Sequence, residues 1–389
     1  MGKLRTVKLV LCIGASIYSS PEYTKQIPNV QPIHRNGNSD LAHENILPSN
    51  AVEFRHFPCG WYKTLMMDNA LPKDLNINDA PRVPMDFFVF RPPRHHAADF
   101  RFELDPQFTN GLTYYVPQGQ WNMPLKILRS TNKPKPVLLL LHGLGLHPAS
   151  FRGICGYLLP VCDVIVADYS AFTSAESWPE GGISLRVLAH AIMRIADTLG
   201  LKKINIGGSS LGGGLSLMAA VDFPQRINRI VLFNPAIFPQ ILPSFYRLVR
   251  VPLLGPLVMR LIAPDALVAG VTTLGYVDPA NVDPELLAIY QLNMRPAANR
   301  RRLLDLIRHL PARDQEVRRY LDQAGKLPQE VLVIWGEQDK LLAAGTGDRL
   351  RQSLPQVEFH SFPDLSHLPH EEAPERIGLI VARFVAATT

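Results

Sequence analysis

The stretch "NIGGSSLGGG" (205–214) sets two serines between glycines directly after an apolar run. A serine hydroxyl is a weak nucleophile at neutral pH. It needs an adjacent base, and the base needs an orienting acid. The spacing G-x-S-x-G is met in one frame, Gly208–Ser209–Ser210–Leu211–Gly212, because centring on Ser209 would put Leu211 at the second glycine position. Ser210 is therefore the candidate nucleophile. The glycines have a steric purpose: a nucleophile on a sharp strand-to-helix turn needs small neighbours for the chain to fold past itself. Taken alone, the stretch also admits the reading of a glycine-rich turn without chemistry.

Two downstream segments supply partners. "VLVIWGEQDKLL" places Asp339 just past an apolar run and a glycine turn, and "VEFHSFPDLSHLPHEEAPERI" places His367 in the loop after the last such run. Singly, Asp339 is a turn residue or helix cap and His367 a solvated loop histidine. With Ser210 they follow the order Ser, Asp, His, one of the known triad orders. A fourth piece is "LLLLHGLG". The backbone N–H of Leu144 there, with that of Leu211, could form an oxyanion hole, a donor pair worth about 3–4 kcal/mol per donor in acyl transfer. His142 reads as a structural histidine that holds its turn.

These residues need a scaffold with several strand ends on one edge. "KPVLLLLHG", "DVIVADYS", "KKINIGGSS", "INRIVLFNP" and "EVLVIWGEQD" are short apolar runs ending in turns, the pattern of strands buried on both faces. "GLTYYVPQG" and "PLKILRS" read as two more strands with a turn between. In "ISLRVLAHAIMRIADTLGL", Leu185, Leu188, Ile192, Ile195 and Leu199 recur at helical spacing and Gly200 closes the end. Alternating strands and helices predict an α/β fold with a mostly parallel central sheet. Between Pro235 and Gln329 the pattern changes to apolar helical stretches broken by prolines: 241–250, 252–263, 283–293, 299–310 and 313–324. This predicts a helical insertion.

The chain has 389 residues, 47% hydrophobic and 19% charged, which excludes a disordered composition. A net charge of +6 without long like-charge blocks gives no case for nucleic-acid binding. Residues 236–327 carry twelve Lys and Arg against eight Asp and Glu, so most of the excess lies in the insertion. Four cysteines lack metal or CxxC spacing, and Cys155 and Cys162 read as buried small apolar residues. His95, His96 and Asp99 lack further ligands for a metal, and no cofactor motif appears. Lys3, Arg5 and Lys8 ahead of the uncharged run Leu9–Tyr18 resemble a signal peptide, while Gly2 and Thr6 also fit a myristoylation pattern. The first predicts an exported, periplasmic or membrane-associated protein; a plain N-terminus predicts a cytoplasmic one.

Together these segments resemble the α/β-hydrolase superfamily: "LLLLHGLGLHPASFR" its HG turn, "GGSSLGGG" its nucleophile elbow, "VLVIWGEQDKLL" its acid strand and "SHLPHEEAPE" its histidine loop. The match covers about residues 110–387. The resemblance implies an α/β-hydrolase fold with a Ser210–Asp339–His367 triad, an oxyanion hole from Leu144 and Leu211, and an inserted helical cap. The implied organisation is a signal or anchor over 1–20, an irregular arm over 21–107, the core over 108–235 and 328–389, and the cap over 236–327. The chain departs from the family at "DYSAFTSAES" (Asp168–Ser177), which lacks the usual glycines, and at Ser366, where glycine usually precedes the histidine.

Serine at the elbow suits an acyl-enzyme, which the resemblance assigns to carboxylic ester hydrolysis of the esterase or lipase kind. Phe238, Ile241, Leu242, Phe245, Tyr246, Leu253, Leu254 and Leu257 make the insertion apolar and favour a small hydrophobic ester as the partner. Arg300, Arg301, Arg302, Arg318 and Arg319 could meet an anionic lipid surface, or form a solvated helix face. The alternatives are a C–C bond hydrolase acting on vinylogous diketones and a non-catalytic hydrolase-like binding protein.

Overall fold

The computed structural model describes residues 112–115, 125–128, 135–169, 184–238, 248–309, 314–354 and 356–387. The expectations for 1–20, for 21–107 and for most of Asp168–Ser177 lie outside these residues, as do Ile241, Leu242, Phe245 and Tyr246.

Among the described residues, eight strands form one sheet: β1 (Leu112–Tyr115), β2 (Leu125–Leu128), β3 (Val137–Leu141), β4 (Asp163–Ala167), β5 (Ile204–Ser209), β6 (Ile227–Phe233), β7 (Glu330–Gly336) and β8 (Val357–Phe362). Their spatial order is β1-β2-β4-β3-β5-β6-β7-β8. The six strands from β4 to β8 in that order pair in parallel, and β1 and β2 add an antiparallel edge. The α/β fold with a mostly parallel central sheet, expected from the sequence, is present.

The continuous apolar runs are explained by burial on both faces. In β3, Val137, Leu139 and Leu141 enter one core cluster while Leu138 and Leu140 enter the other. In β7, Val331, Val333 and Trp335 take the first side and Leu332 and Ile334 the second. Successive strand side chains point to opposite faces, so a polar residue at any of these positions would stand unpaired in a core.

Helices cover both faces. α1 (Arg152–Leu158) follows β3, and α2 (Leu185–Thr198) follows β4. The α2 start is capped by the Ser184 hydroxyl, which accepts from the Val187 N–H at 3.1 Å. Its stripe of Leu188, Ile192 and Ile195 is buried, and Gly200 closes it at φ +66°. α3 (Leu211–Asp222) follows β5 and is buried from Leu211 through Ala220, as its continuous apolar sequence requires.

Between β6 and β7 lie α4 (Leu254–Leu261), α5 (Pro264–Gly275), α6 (Pro284–Met294), α7 (Ala297–His309) and α8 (Asp314–Ala324). Helix α5 is absent from the sequence expectation, because the stretch "DALVAGVTTLG" lacks a clean amphipathic stripe. Val249, Met259, Leu267, Leu304 and Ile307 form a separate small core, against which Leu144 packs. In α8, Tyr320, Leu321 and Ala324 instead join the main core beside α3. α9 (Thr346–Ser353), the short α10 (Pro369–Glu372) and α11 (Pro374–Ala386) complete the described fold.

Two sequence expectations about side chains change. Leu253, Leu254 and Leu257, read as part of an apolar insertion that favours a hydrophobic ester, lie on its outer surface, 89%, 38% and 51% exposed. Arg300 does not face outward as a free cation. Its Nε donates to the Met259 carbonyl at 3.1 Å and its Nη1 to the carbonyls of Met294 at 2.7 Å and Arg295 at 2.6 Å, stapling α4 to the α6–α7 turn.

Candidate active site

Ser210 lies at the junction of β5 and α3 with φ 52° and ψ −118°. Positive φ is uncommon for any residue with a Cβ, and strain of this kind concentrates at functional sites. The junction is held from several sides. The Ser210 N–H donates to the Phe233 carbonyl at 3.0 Å, and its own carbonyl accepts from Ala236 at 2.9 Å and Gly214 at 3.1 Å. The glycines are required by contact. A Cβ at Gly212 would stand 2.1 Å from the Leu141 carbonyl oxygen, and one at Gly208 2.4 Å from the Gly212 carbonyl carbon. Ser209 is fully buried and its hydroxyl has no partner among the described residues, whereas Ser210 is partly accessible.

Asp339 and His367 are brought together from loops after β7 and β8. His367 Nδ1 lies 2.7 Å from Asp339 Oδ2, and both side chains are about 5% exposed or less. Burial raises the Asp339 pKa. The bonds from His367, the Leu342 N–H and Asn234 outweigh it and hold the carboxyl below the usual carboxylate range. An ionised carboxylate only accepts, so His367 must donate through Nδ1–H. That leaves Nε2 as the nitrogen with a lone pair.

Sequence reasoning misses Asn234. It follows β6 at φ 37°, its Nδ2 donates to Asp339 Oδ2 at 2.8 Å and to the Gly336 carbonyl at 3.1 Å, and its Oδ1 accepts from the Gly336 N–H at 2.8 Å. It thus clamps the end of β7 and fixes the acid. Its one signal is an Asn directly after a strand and before Pro235. Asp339 Oδ1 takes the N–H groups of Leu341 and Leu342 at 2.8 and 2.9 Å.

Leu144 sits in the turn after β3, next to Gly143, whose missing Cβ would be 3.4 Å from Ser210 Cβ. The turn and the Ser210 junction therefore touch. Leu211 opens α3, where the first N–H groups of a helix have no intrahelical acceptor. His142 holds the turn as expected. Its Nδ1 contacts the Gly143 carbonyl at 2.8 Å, its Nε2 lies 3.3 Å from Asp168, and its ring stacks on Tyr169 at 4.4 Å. The Ser366 departure also has a reason. Its Oγ donates to the Gln338 carbonyl at 2.9 Å, tying the histidine loop to the acid loop.

A second buried cluster lies beside His367. Glu371 accepts hydrogen bonds from Ser150 Oγ, from the Tyr276 hydroxyl at 2.5 Å and from the Tyr290 hydroxyl at 2.8 Å. Burial pushes its carboxyl up to about 7. His370 lies against Phe151 at 4.9 Å, and burial pushes its imidazole down to about 3. Glu372 accepts from the N–H groups of Ser366 and Val277, both at 2.7 Å. Cys155 and Cys162 are buried thiols; burial pushes Cys155 up to about 12.

The strained junction at Ser210, the buried Asp339–His367 pair and the neighbouring His-Gly turn all lie at the carboxyl edge of the parallel sheet. Residues 136–374 match the family model described as alpha/beta hydrolase fold, and the chain belongs to that family. It is 25% identical over 255 residues to the uncharacterised hydrolase YugF of Bacillus subtilis, spanning 65% of this chain and 91% of that one. It is likewise 25% identical over 262 residues to a 2-hydroxy-6-oxononadienedioate/2-hydroxy-6-oxononatrienedioate hydrolase of Paraburkholderia phymatum, spanning 66% and 88%. Among solved structures, a 2-hydroxy-6-oxo-6-phenylhexa-2,4-dienoate hydrolase from a Rhodococcus species shares the fold. Its TM-score is 0.58 at 20% identity, covering 71% of this chain and all of that one.

Proposed function

We propose that the protein is a serine hydrolase that cleaves a C–C bond next to a carbonyl in a conjugated, hydroxylated diketone-type substrate, with Ser210 as nucleophile. The observation that carries the chemistry is the buried 2.7 Å contact between His367 Nδ1 and Asp339 Oδ2, which leaves Nε2 to serve as base. The bond assignment is supported by the Paraburkholderia relative, named for cleaving substrates of this type.

In this reading, Ser210 Oγ attacks the substrate carbonyl and passes its proton to His367 Nε2. The developing oxyanion lies between the N–H groups of Leu144 and Leu211. Collapse of the tetrahedral adduct, formed on the keto tautomer of the substrate, expels the carbon leaving group with the bond pair as a carbanion delocalised over the adjoining enone, and that carbon takes the proton from His367. Water then attacks the acyl-enzyme with His367 again as base, releasing a carboxylic acid and restoring Ser210. Asp339, held by Asn234, stabilises the imidazolium in both halves.

Carboxylic ester hydrolysis is the second reading. It uses the same groups with an alkoxide leaving, and the exposed apolar helix α4, which would bring the protein to lipid esters, favours it. The test compares ring-fission dienones with p-nitrophenyl esters from acetate to palmitate, with Ser210→Ala as control. Dienone turnover lost in Ser210→Ala is expected. Ester turnover alone replaces the first reading with the second. No turnover of either class, with no fluorophosphonate labelling of Ser210, overturns both.

A further inference from the structure

Helix α4 is inside out. Its buried positions are Gly255 and Met259, while Leu257 and Leu261 are 51% and 75% exposed. The segment leading into it exposes Val251 at 45% and Leu253 at 89%. Among the described residues, every exposed large hydrophobic side chain except Leu292 lies on 251–261. Scattered surface leucines are ordinary, but a contiguous set marks a contact surface. Leu253 adds an independent sign. It holds φ +65°, a left-handed backbone that a leucine adopts only under constraint, and there it projects its side chain into solvent.

Arginine predominates around the patch, and the nearest acid along the chain is the exposed Asp265 at the start of α5. From Leu248 to Pro264 the only charged residues are Arg250 and Arg260. The adjoining turn and start of α7 add Arg295, Arg300, Arg301 and Arg302 with no acid between them. Arg260, Arg295 and Arg301 are exposed, and the Arg300 staple to Met259 and Arg295 keeps this turn against α4. Leucines flanked by arginines are the pattern of a helix that lies in a lipid interface, apolar side chains among the acyl chains and cations at the phosphates. A second copy fits worse, because a two-fold contact through this patch would set its arginines against themselves. Spanning the membrane fits worse too. α4 and α5 together are apolar enough, but they are bent by 96° and α5 buries Leu267, Val268 and Thr272 in the protein.

The geometry points to the 251–261 segment as a docking surface for an anionic phospholipid bilayer, with Leu253, Leu257 and Leu261 inserted and Arg260 and Arg301 on the headgroups. Docking there would place the insertion that packs on Leu144 at the lipid surface. The surface does not depend on which bond Ser210 attacks.

Flotation of the full-length protein tests it, with vesicles of equal phosphatidylglycerol and phosphatidylcholine against vesicles of phosphatidylcholine alone. Wild type is expected to float with the anionic vesicles and to be released by salt. The triple variant Leu253→Ser/Leu257→Ser/Leu261→Ser is expected to lose vesicle affinity by roughly tenfold or more. Arg260→Gln/Arg301→Gln should lose about tenfold, for anionic vesicles only. Leu257→Trp keeps the patch apolar and should shift its emission to the blue on anionic vesicles, which guards against a triple variant that merely folds poorly. Both leucine variants should turn over a water-soluble substrate at the wild-type rate, so a failure of the hydrolase reading shows in soluble turnover and a failure of docking shows only in flotation. The proposal is overturned if the triple variant floats like wild type, if wild type ignores anionic lipid, or if the emission of Leu257→Trp is unmoved. It is equally overturned if sedimentation velocity shows a wild-type dimer that the triple variant dissolves while flotation is unchanged.

Discussion

Glu371, four residues after His367, accepts a hydrogen bond at 2.8 Å from the hydroxyl of Tyr290, a residue of α6 in the helical insertion. The same carboxyl takes Tyr276 and Ser150, and its neighbour Glu372 takes Ser366 and Val277. Lys340, beside Asp339, donates to the Tyr276 carbonyl at 3.1 Å. The α5–α6 connection is thereby fastened to both loops that carry the acid and the histidine.

This linkage predicts a specific pH dependence of stability. Glu371 keeps its proton in the fold up to about 7, while the unfolded chain releases it near the ordinary glutamate value. Over that interval the folded state binds more protons, so the Glu371 contribution falls as pH rises. His370 behaves oppositely: neutral in the fold down to about 3, it is protonated in the unfolded chain below its ordinary value, so its contribution rises with pH. Between roughly pH 4.5 and 6.5 the two slopes oppose each other. In Glu371→Gln the falling slope is removed. Its stability relative to wild type should climb by up to about 1.4 kcal/mol per pH unit across that window. Urea denaturation at several pH values reads this directly, and parallel curves for the two proteins would contradict it.

If Ser210 is the nucleophile proposed above, Ser210→Ala should reduce kcat by several orders of magnitude with the fold intact. Ser209→Ala should keep activity and equal or slightly exceed wild type in stability, because it removes a buried hydroxyl without a partner. A loss of turnover in Ser209→Ala comparable to that in Ser210→Ala would reverse the assignment of the nucleophile.

Asn234→Ala should act in two ways. Gly336 loses its side-chain partners and Asp339 loses one donor, costing on the order of 1–3 kcal/mol in denaturation experiments. With that donor gone, the Asp339 carboxyl moves up from its depressed value, so the stability it contributes above the ordinary aspartate range is smaller and, on acidification, is fully lost at a higher pH than in wild type. The effect on turnover should fall mainly on kcat. An unchanged acid limb together with unchanged kcat would confine Asn234 to a structural role.

Gly212→Ala should be among the most damaging single substitutions. Its Cβ would meet the Leu141 carbonyl oxygen at 2.1 Å and the His142 carbonyl oxygen at 2.6 Å, both backbone atoms of the strand and turn next to Ser210. We expect a loss of more than about 3 kcal/mol or failure to accumulate as soluble protein. Wild-type stability in this variant would show that the junction is looser than its contacts imply.

Much of the site is legible in the linear sequence because it rests on local rules. Apolar runs such as Val137–Leu141 reveal strands buried on two faces, and the glycine frame separates Ser210 from Ser209. The order of Ser210, Asp339 and His367 follows the ends of β5, β7 and β8. Leu185 to Leu199 announces its helix by periodicity. Helix α5 escapes the same reading because, beyond Asp265, its exposed positions are Gly270 and Thr273, which make no charged stripe to give it away.

Only the tertiary structure decides the rest, since it depends on pairs far apart in the chain. Asn234 reaches Asp339 across 105 residues and Tyr290 reaches Glu371 across 81. Nothing local in either segment encodes the other. Leu253, Leu254 and Leu257 make the point from the opposite side. Composition marks them as apolar but does not say which way they face. Which face of α4 is buried is set by where Gly255 and Met259 find neighbours, and that packing turns the leucines toward solvent.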